Sequence, residues 1–370
     1  MSVRPLRIGI NALYLIPGHV GGTEIYLRSL LAALAEIDSV NRYFVFTNRE
    51  TGADLVPDCP NFKIAPQPVR AMYRFARILW EQTVLPCAAA YHRLDVMLNP
   101  GFTVPLVSTC PRVTVFHDLQ HKRHPEYFRW FDLPFWNFFL FWAAHLSKLL
   151  LVPSRATAVD VLRQYRLPTA KVRTVRSGVD RVFFQLGRER RPEPFLLAVS
   201  TLHPHKNLDG LLEAFAWFRG RRPEFRLVIC GLRGHHTKRL LELRASLGLG
   251  DSVELPGWIP RKDLYSLFQR AWAFFYPSRF EGFGLPLLEA LAAGVPSVYS
   301  DIPPLTTFAG KAALPFHAED PGALRDAMVR IVEDEPLRER LALAGPCRAA
   351  EFSWRETAEA ALAALREAAG

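Results

Sequence analysis

Short apolar runs alternate with segments of helical periodicity along the whole chain. Runs of three to six mostly apolar residues predict strands, and segments whose apolar positions recur every three or four residues predict helices. The predicted strands are Leu6–Ile10, Tyr43–Thr47, Val96–Asn99, Val113–Phe116, Leu149–Val152, Phe195–Val199, Arg226–Cys230, Ala273–Tyr276 and Ser297–Tyr299. The clearest predicted helices are Glu24–Leu34, Leu208–Arg219, Leu285–Ala293, Pro321–Val332 and Trp354–Ala369. This alternation predicts an α/β fold with parallel sheets wrapped by helices.

Two domains are expected, because 370 residues exceed one ordinary domain. The polar, proline-containing segment Phe183–Phe195 separates the two series of strands. We therefore predict a first domain over residues 1–183 and a second over 184–352. The alanine-rich amphipathic helix at 353–370 is followed by no strand.

Charge is concentrated in the first half of the chain. Residues 1–178 hold 21 Lys and Arg against 12 Asp and Glu, whereas the remainder is nearly balanced. A basic half suits an anionic membrane surface or an anionic ligand; no nucleic-acid-binding motif accompanies it, so nucleic acid is not expected. The five cysteines are scattered along the chain, which predicts reduced thiols in a cytoplasmic protein. The first residues contain no long apolar region, so no signal peptide is expected.

The longest apolar stretch, Leu133–Ser147, is aromatic and too short to span a membrane. One interpretation is a buried helix of the first domain. The other is a helix that dips its aromatic face into a lipid interface, helped by Arg123, Arg129 and Lys148 in or beside the aromatic segment. On the second interpretation the protein is peripheral on the inner face of the cell membrane.

Polar residues and glycines repeatedly follow the predicted strands. They are Asn11, His117 and Asp118, Ser200 and Thr201, Gly231, Pro277 and Ser278, and Ser300 and Asp301. Ligands bind at the carboxyl ends of strands in open parallel sheets. We therefore expect these residues to line the ligand site.

The stretch Pro277–Gly294 (PSRFEGFGLPLLEALAAG) carries the most information. Gly282 and Gly284 allow a tight turn, and Pro286 suits the first turn of the helix that follows. A glycine turn that leads into a helix N-terminus is a ready anion site. Glu281 and Glu289 flank the turn and can bind two hydroxyl pairs on either side of a diphosphate; the alternative is a capped helix with surface carboxylates.

This stretch resembles the E-x7-E signature of the family 4 retaining glycosyltransferases. The resemblance implies a GT-B fold, with two facing Rossmann-like domains and a last helix that crosses back to the first domain. It implies that Glu281 contacts hydroxyls of the donor sugar, that Glu289 binds the ribose diol, and that the backbone of Phe283–Leu285 holds the diphosphate. It also implies catalysis without a metal cofactor.

Other segments resemble the same family, from Arg7 to about Arg366. They include Leu196–Phe215, Val253–Pro260 as the loop around the nucleotide base, the glycine loop at Gly21–Glu24, Val115–Asp118, Trp80–Gln82 and Ser177–Asp180. The implied catalytic residues are Lys206, Glu281 and His117. The implied donor-binding residues are Ser200, Thr201, Lys206, Gly231, Leu255, Gly257, Glu281, Gly282, Phe283, Gly284, Leu285 and Glu289, and those on the acceptor side are Gly21, Gly22, Thr23 and Asp118.

Two departures from the family pattern change the expected contacts. Ser200 and Thr201 stand where many members have Gly-Arg, so phosphate binding rests more on Lys206, with Ser200, Thr201, His205 or Arg279 assisting. Pro303-Pro304 replaces the usual Pro-Glu, which removes a carboxylate contact.

His117, His121 and His124 invite a metal interpretation, but no cysteine or clustered carboxylate completes a site. The function expected is retaining transfer of a hexose from a nucleotide-diphosphate sugar to a glycan or lipid-linked glycan. The resemblance to bacterial mannosyltransferases of surface-polysaccharide and lipopolysaccharide assembly favours GDP-mannose, with a UDP-sugar as the alternative donor. A nucleotide-sugar 2-epimerase and a non-catalytic nucleotide- or glycan-binding protein are the competing classes.

Overall fold

The structure, a computed structural model, describes residues 4–128 and 130–370. Arg129, named above beside the aromatic segment, lies outside the described residues. The chain divides into two compact units. The first comprises the chain up to Gly178 together with Trp354–Gly370, and the second comprises Val179–Ser353. The division falls a few residues before the boundary that the sequence indicates.

The strands are numbered in chain order. They are β1 Arg7–Asn11, β2 Arg42–Thr47, β3 Phe62–Pro66, β4 Val96–Asn99, β5 Arg112–Val115, β6 Leu149–Val152, β7 Val172–Thr174, β8 Phe195–Val199, β9 Arg226–Cys230, β10 Val253–Gly257, β11 Ala273–Tyr276, β12 Ser297–Ser300 and β13 Leu314–Phe316.

The α-helices are numbered in the same way. They are α1 Gly22–Ile37, α2 Arg74–Tyr91, α3 Gln120–Arg123, α4 Leu133–Leu146, α5 Arg155–Tyr165, α6 Arg181–Leu186, α7 Leu208–Arg219, α8 Thr237–Ser246, α9 Arg261–Arg270, α10 Leu285–Ala292, α11 Pro303–Ala309, α12 Pro321–Glu333, α13 Glu335–Ala349 and α14 Trp354–Ala369.

The two units repeat one sheet topology. The described residues of the first form a seven-stranded sheet in the order β3-β2-β1-β4-β5-β6-β7, and those of the second a six-stranded sheet in the order β10-β9-β8-β11-β12-β13. Neighbouring strands pair in parallel, as in β1 with β4 and β8 with β11. Both sheets run outwards in two directions from a central pair, which is the Rossmann arrangement. The predicted α/β class and Rossmann-like domains are therefore confirmed.

Alternate residues of each strand enter different hydrophobic layers, as the two-residue strand period requires. In the first sheet, Leu149 and Leu151 pack in the layer formed with α1 and α14, whereas Leu150 and Val152 pack in a layer formed with α4 and α5. The last helix of the chain thus completes the core of the first unit. This confirms the predicted return of α14 to the first domain.

Two interpretations of individual segments are wrong. Val253–Gly257, expected as part of a loop around the nucleotide base, is the edge strand β10. The helix α4 is buried on one side only, through Leu140, Ala143 and Ala144, whereas Phe138, Phe141 and Trp142 on its other side are exposed. None of the helices formed by the described residues is both long enough and apolar enough to cross a bilayer.

Candidate functional site

The strand order of the second sheet reverses between β8 and β11. From this pair, β9 and β10 continue in one direction, and β12 and β13 in the other. Connections that leave such a pair run to opposite faces of the sheet and open a crevice between them. Lys206 lies in the connection after β8, and Glu281 lies in the connection after β11. Both side chains are therefore at the usual ligand position of this fold.

Lys206 and Glu281 form an ion pair at this position. Lys206 Nζ lies 2.5 Å from Glu281 Oε1, and both side chains are largely buried. Lys206 Nζ also lies 3.4 Å from the hydroxyl oxygen of Tyr276 and 5.4 Å from the centroid of its ring. Burial, and then the nearby charge of Glu281, raise the pKa of Tyr276 well above its ordinary value, so this phenol is neutral. The ion pair thus brings a cation and a carboxylate together at the reversal point of the sheet.

The glycine turn at residues 282–284 leads directly into α10. Gly284 has a φ of 111°, and its carbonyl oxygen accepts hydrogen bonds from the N–H groups of Leu287 and Leu288. A Cβ atom at Gly284 would lie 2.5 Å from Leu305 Cδ2, so the position requires glycine. Phe283 is buried and stacks on Phe308 at 5.2 Å between ring centroids. Gly282 is the first residue of the turn, and Leu285, directly after the turn, begins α10.

Glu289 is the fifth residue of α10 and is buried. Its Oε1 accepts a hydrogen bond from Arg261 Nη2 at 2.8 Å. Burial raises the pKa of Glu289, and the charge of Arg261 opposes that rise. Burial lowers the pKa of Arg261, but Glu289 and Tyr265 more than offset it. The arginine thus favours the carboxylate form of Glu289 against the effect of burial.

Arg261 belongs to a longer polar network that the sequence did not indicate. Its guanidinium lies 4.9 Å from the ring centroid of Phe183, and its Nε donates to the hydroxyl of Tyr265 at 3.2 Å. The Tyr265 hydroxyl in turn donates to Asp180 Oδ2 at 2.9 Å. Because α9 and α10 meet only through the tertiary fold, the pairing of Arg261 with Glu289 has no signal in the local sequence.

The loops after β8, β9 and β10 approach one another closely. Gly231 has a φ of 145°, and a Cβ atom there would lie 1.9 Å from the carbonyl oxygen of Ser200. The N–H of Gly231 donates to the carbonyl oxygen of Gly257 at 2.9 Å. Ser200 Oγ is buried and meets no hydrogen-bond partner within the described ranges. The half-buried Leu255 packs against the hydrophobic core of the second unit.

A histidine cluster surrounds the connection that carries Lys206. His203 Nδ1 lies 3.1 Å from His235 Nδ1, and the ring of His203 stacks on that of the buried His205 at 5.8 Å. The backbone N–H of His203 donates to the carbonyl oxygen of Thr201 at 2.8 Å. Burial, then the charges of His235 and Lys206, lower the pKa of His203 to about 4. Of this cluster, sequence reasoning had singled out only His205.

In the first unit, the predicted glycine loop forms the N-terminus of α1. Gly21 precedes the helix with a φ of 60°, Gly22 begins it, and Thr23 Oγ1 donates to the carbonyl oxygen of Val20 at 2.9 Å. Glu24 accepts a hydrogen bond from the N–H of Gly18 at 2.8 Å. The loop is therefore fixed by its own hydrogen bonds.

His117 follows β5 and is half-buried between aromatic rings. Tyr26 and Phe102 lie edge-on to it, at 5.0 and 5.2 Å between ring centroids. Its Nε2 lies 2.9 Å from the carbonyl oxygen of Pro100, and burial lowers its pKa to about 4, so Nε2–H of a neutral ring donates to that oxygen. Asp118 accepts from the N–H of Gln120 at 2.9 Å.

A buried polar group occupies the reversal point of the first sheet, between β1 and β4. Asn11 Nδ2 donates to Asn99 Oδ1 at 3.2 Å, and Thr103 Oγ1 donates to Glu81 Oε2 at 3.0 Å. Burial raises the pKa of Glu81, opposed by the neighbouring charge of the buried Arg77. The sequence indicated Asn11 and the Trp80–Gln82 segment, but not their association with Asn99 and Thr103.

The histidines considered as metal ligands do not converge. In residues 4–128 and 130–370, no three His, Cys, Asp or Glu side chains form a group able to hold a metal ion. His121, the second histidine of the three, is buried 3.3 Å from the hydroxyl of Tyr165.

Two family models match consecutive parts of the chain. The model described as Glycosyltransferase Family 4 matches residues 20–183, and the model described as Glycosyl transferases group 1 matches residues 181–346. Together they extend over both units.

Individual proteins are similar over part of the chain. The O-antigen chain mannosyltransferase B of Escherichia coli is 28% identical over 65% of this chain and 66% of its own length. The D-inositol 3-phosphate glycosyltransferase of Corynebacterium jeikeium is 32% identical over 58% of this chain and 56% of its own length. This chain thus spans less than two thirds of each of these relatives.

A solved structure shares the fold over nearly the full length. The sucrose-phosphate synthase of Thermosynechococcus elongatus superposes with a TM-score of 0.78, at 20% sequence identity, over 98% of each chain. At this identity the similarity establishes the GT-B fold.

Proposed function

Because the chain belongs to the family 4 glycosyltransferases, we propose that it transfers mannose from GDP-mannose to a glycan or lipid-linked glycan, with retention of the anomeric configuration and without a metal ion. One observation carries the proposal. Lys206, the turn at Gly284 and the carboxylates of Glu281 and Glu289 lie on the connections at and beside the reversal point of the second sheet. On this proposal, Lys206 provides positive charge for the phosphates of a nucleotide-diphosphate sugar, and the two carboxylates accept hydrogen bonds from its hydroxyl groups.

The diphosphate is assigned to Lys206 and to the backbone at the start of α10. Lys206 Nζ supplies a full positive charge, and the helix N-terminus supplies aligned peptide dipoles. In the structure the charge of Lys206 is paired with Glu281 at 2.5 Å. On this proposal the diphosphate replaces Glu281 as the partner of Lys206. The carboxylate released then accepts hydrogen bonds from the sugar.

The ribose is assigned to Glu289. A carboxylate accepts two hydrogen bonds from a vicinal diol only while it is ionised. Arg261 opposes the rise in pKa that burial imposes on Glu289, and so favours that state. The roles of His117, Asp118, Gly21, Gly22 and Thr23 on the acceptor side, and those of Ser200, Thr201, Gly231, Leu255 and Gly257 on the donor side, stay predictions from the family resemblance.

The proposed reaction is a substitution on one face of the sugar. The bond between the anomeric carbon and the leaving phosphate oxygen breaks, and the acceptor oxygen forms its bond on the same face. The proton of the acceptor hydroxyl passes to the departing phosphate oxygen. Lys206 and the N-terminus of α10 stabilise the negative charge that builds up on the diphosphate, the contribution a metal ion makes elsewhere.

Mannose is chosen because the E. coli relative is named for mannose transfer and for the O-antigen chain. The same relative supports a place for this chain in lipopolysaccharide or other surface-polysaccharide assembly.

Donor binding is tested first, because it needs no acceptor. The melting temperature of the purified chain is measured with GDP, UDP, ADP and their common sugars, in EDTA and then in magnesium. A ligand that binds only the native state raises this temperature. Stabilisation by GDP and GDP-mannose alone, present in EDTA and lost in Glu289→Ala, is expected. Stabilisation by UDP compounds instead overturns the mannose assignment, and a requirement for magnesium overturns the metal-free mechanism.

Catalysis is tested with Lys206→Ala and Glu281→Gln. Removing one preorganised group that stabilises the charge of the transition state lowers kcat on the order of 100- to 1000-fold. Lys238→Ala, which breaks the exposed ion pair of Lys238 with Glu242 in the same unit, is the matched control and leaves transfer unchanged. Release of GDP that depends on a glycan acceptor, with an α-mannosyl product by NMR, supports the proposal. Wild-type turnover in either site variant contradicts the residue roles.

A further inference from the structure

One side of α4 presents large aromatic rings to solvent. Phe138, Phe141 and Trp142 are 48%, 44% and 38% exposed, and their spacing places them on one face of the helix. The buried residues of α4 are Leu140, Ala143 and Ala144. The helix therefore packs on the core through Leu140, Trp136 and the two alanines, and leaves three large aromatic rings on its other side in contact with solvent.

The exposed rings continue beyond α4. Trp130 and Phe131, which precede the helix, are 81% and 54% exposed and contact each other edge-on. Phe75 at the start of α2 is 74% exposed. Arg74 joins the two segments, because it forms an ion pair with Asp132 and its guanidinium lies 4.8 Å from the ring centroid of Phe135 and 5.6 Å from that of Phe75. We call Trp130, Phe131, Phe138, Phe141, Trp142 and Phe75 the aromatic face.

The charged groups near the aromatic face favour an anionic partner. Lys148, two residues after α4, and Arg70, shortly before α2, are both exposed. Of the carboxylates in the same segments, Asp132 pairs with Arg74, and Glu126 lies 2.9 Å from Nδ1 of His124. Residues 1–178 as a whole carry nine more basic than acidic residues.

We propose that the aromatic face binds the surface of an anionic lipid bilayer, with α4 lying in the plane of the interface. Phenylalanine and tryptophan next to lysine and arginine form the usual composition of such contacts, because the rings enter the acyl boundary and the cations meet the headgroups. At 14 residues, α4 is roughly 21 Å long, which suits a helix lying on the bilayer rather than crossing it. This inference rests on the first unit alone and does not depend on the proposed donor.

The test is sedimentation of the full chain with lipid vesicles, in the absence of any nucleotide. Vesicles of phosphatidylcholine alone are compared with vesicles that contain about a third phosphatidylglycerol. The test variant is Phe138→Ser, Phe141→Ser and Trp142→Ser together. The control is Trp217→Ser, Trp258→Ser and Leu343→Ser together, which removes three exposed apolar side chains from the second unit. A third variant, Arg70→Glu with Lys148→Glu, tests the charge.

The wild type and the control variant are expected to sediment with the anionic vesicles. The triple variant on α4 is expected to partition at least about tenfold more weakly, and the charge variant to lose its preference for anionic lipid. Equal binding by the α4 variant and the wild type overturns the proposal, as does no binding by the wild type. Analytical ultracentrifugation without vesicles tests whether the aromatic face binds a second copy of the chain instead. A wild type that is a dimer, with an α4 variant that is a monomer, would show this and overturn the lipid assignment.

A folding defect is distinguished from a lost surface by circular dichroism and melting temperature. All three α4 substitutions are at exposed positions, so the variant is expected to unfold within a few degrees of the wild type. Because vesicle binding is measured without nucleotide, its failure leaves the donor-binding result standing, and the reverse also holds.

Discussion

Arg261 and Glu289 form an ion pair of 2.8 Å in which the glutamate is buried and the arginine is only partly so. The two residues come from successive helices, α9 and α10, on either side of β11. The arginine is a positioning residue, since on the proposed function it acts on the nucleotide only through the carboxylate. Its removal therefore has consequences that differ from those of removing a group that contacts the donor.

Arg261→Ala is expected to raise the KM for the donor about 10- to 100-fold while changing kcat much less. Without the arginine, burial raises the pKa of Glu289 further, and a larger fraction of the side chain is protonated near neutral pH. Donor affinity should therefore improve as the pH rises through that higher pKa, and in the wild type the corresponding improvement should come at a lower pH. Steady-state kinetics between pH 6 and 9 provide the measurement.

The same helix provides the control for this substitution. Arg270 ends α9 and pairs with Glu193 at 3.1 Å, but both side chains are about 40% exposed. Arg270→Ala should leave the donor KM unchanged, because an exposed ion pair contributes little. Arg261→Lys should recover part of the affinity. If Arg261→Ala and Arg270→Ala behave alike, Arg261 has no positioning role.

The sequence predicted the central strands and missed the edges. The nine predicted strands correspond to β1, β2, β4, β5, β6, β8, β9, β11 and β12, whereas the strands not predicted are β3, β7, β10 and β13, which are the four edge strands. A central strand of a parallel sheet is covered on both faces and reads as a continuous apolar run. An edge strand such as β3, with Lys63 and Ile64 exposed, lacks this run and resembles a loop.

The candidate site divides in a similar way. Lys206, Glu281 and Glu289 were predicted because they lie in short segments with a recognisable pattern. Arg261 was not, since its partner is 28 positions away in the sequence and is brought to it only by the tertiary fold. The sequence also does not determine which side of α4 is exposed, because an aromatic run has the same hydrophobicity whichever side of it faces the core.

Acidification is expected to destabilise the chain through three histidines. Burial lowers the pKa values of His117, His121 and His203 to about 4 each, against 6.5 ordinarily. Below pH 6.5 the unfolded chain takes up protons that the native chain does not. Stability therefore falls as the pH drops from about 6.5 towards 4, by up to about 1.4 kcal/mol per pH unit for each histidine.

Melting temperatures at half-unit steps between pH 7.5 and 5 measure this effect above the range where most carboxylates titrate. His121→Gln removes one of the three groups and should flatten the dependence. The corresponding control is His145→Gln, because His145 is exposed. A melting temperature that stays constant from pH 7 to 5 would contradict the burial of these rings as neutral groups.

Gly231→Ala is expected to destabilise the second unit by at least about 3 kcal/mol. The new Cβ atom would lie 1.9 Å from a backbone oxygen of Ser200 at a φ of 145°, so it introduces both a clash and backbone strain. Gly250→Ala is the matched control in the same unit, because a Cβ atom at that exposed position meets no described atom within 4 Å. The control should change stability by no more than about 0.5 kcal/mol. Urea denaturation followed by circular dichroism distinguishes the two variants.

The last helix, α14, should contribute substantially to the free energy of unfolding of the first unit, although it follows the second unit in the chain. Leu365 is fully buried and packs with α1 residues such as Leu27 and Leu31 in the layer that covers one face of the first sheet. Leu365→Ala should cost about 2–5 kcal/mol, the usual result of emptying a buried leucine site. Leu343→Ala, at a position of α13 that is 75% exposed, should cost little. If the two units melt separately, Leu365→Ala should lower only the melting temperature of the first unit. Stabilisation of the second unit by GDP should persist, because Lys206, Glu281 and Glu289 belong to that unit. Equal melting temperatures for the two leucine variants would mean that α14 does not contribute to the core of the first unit.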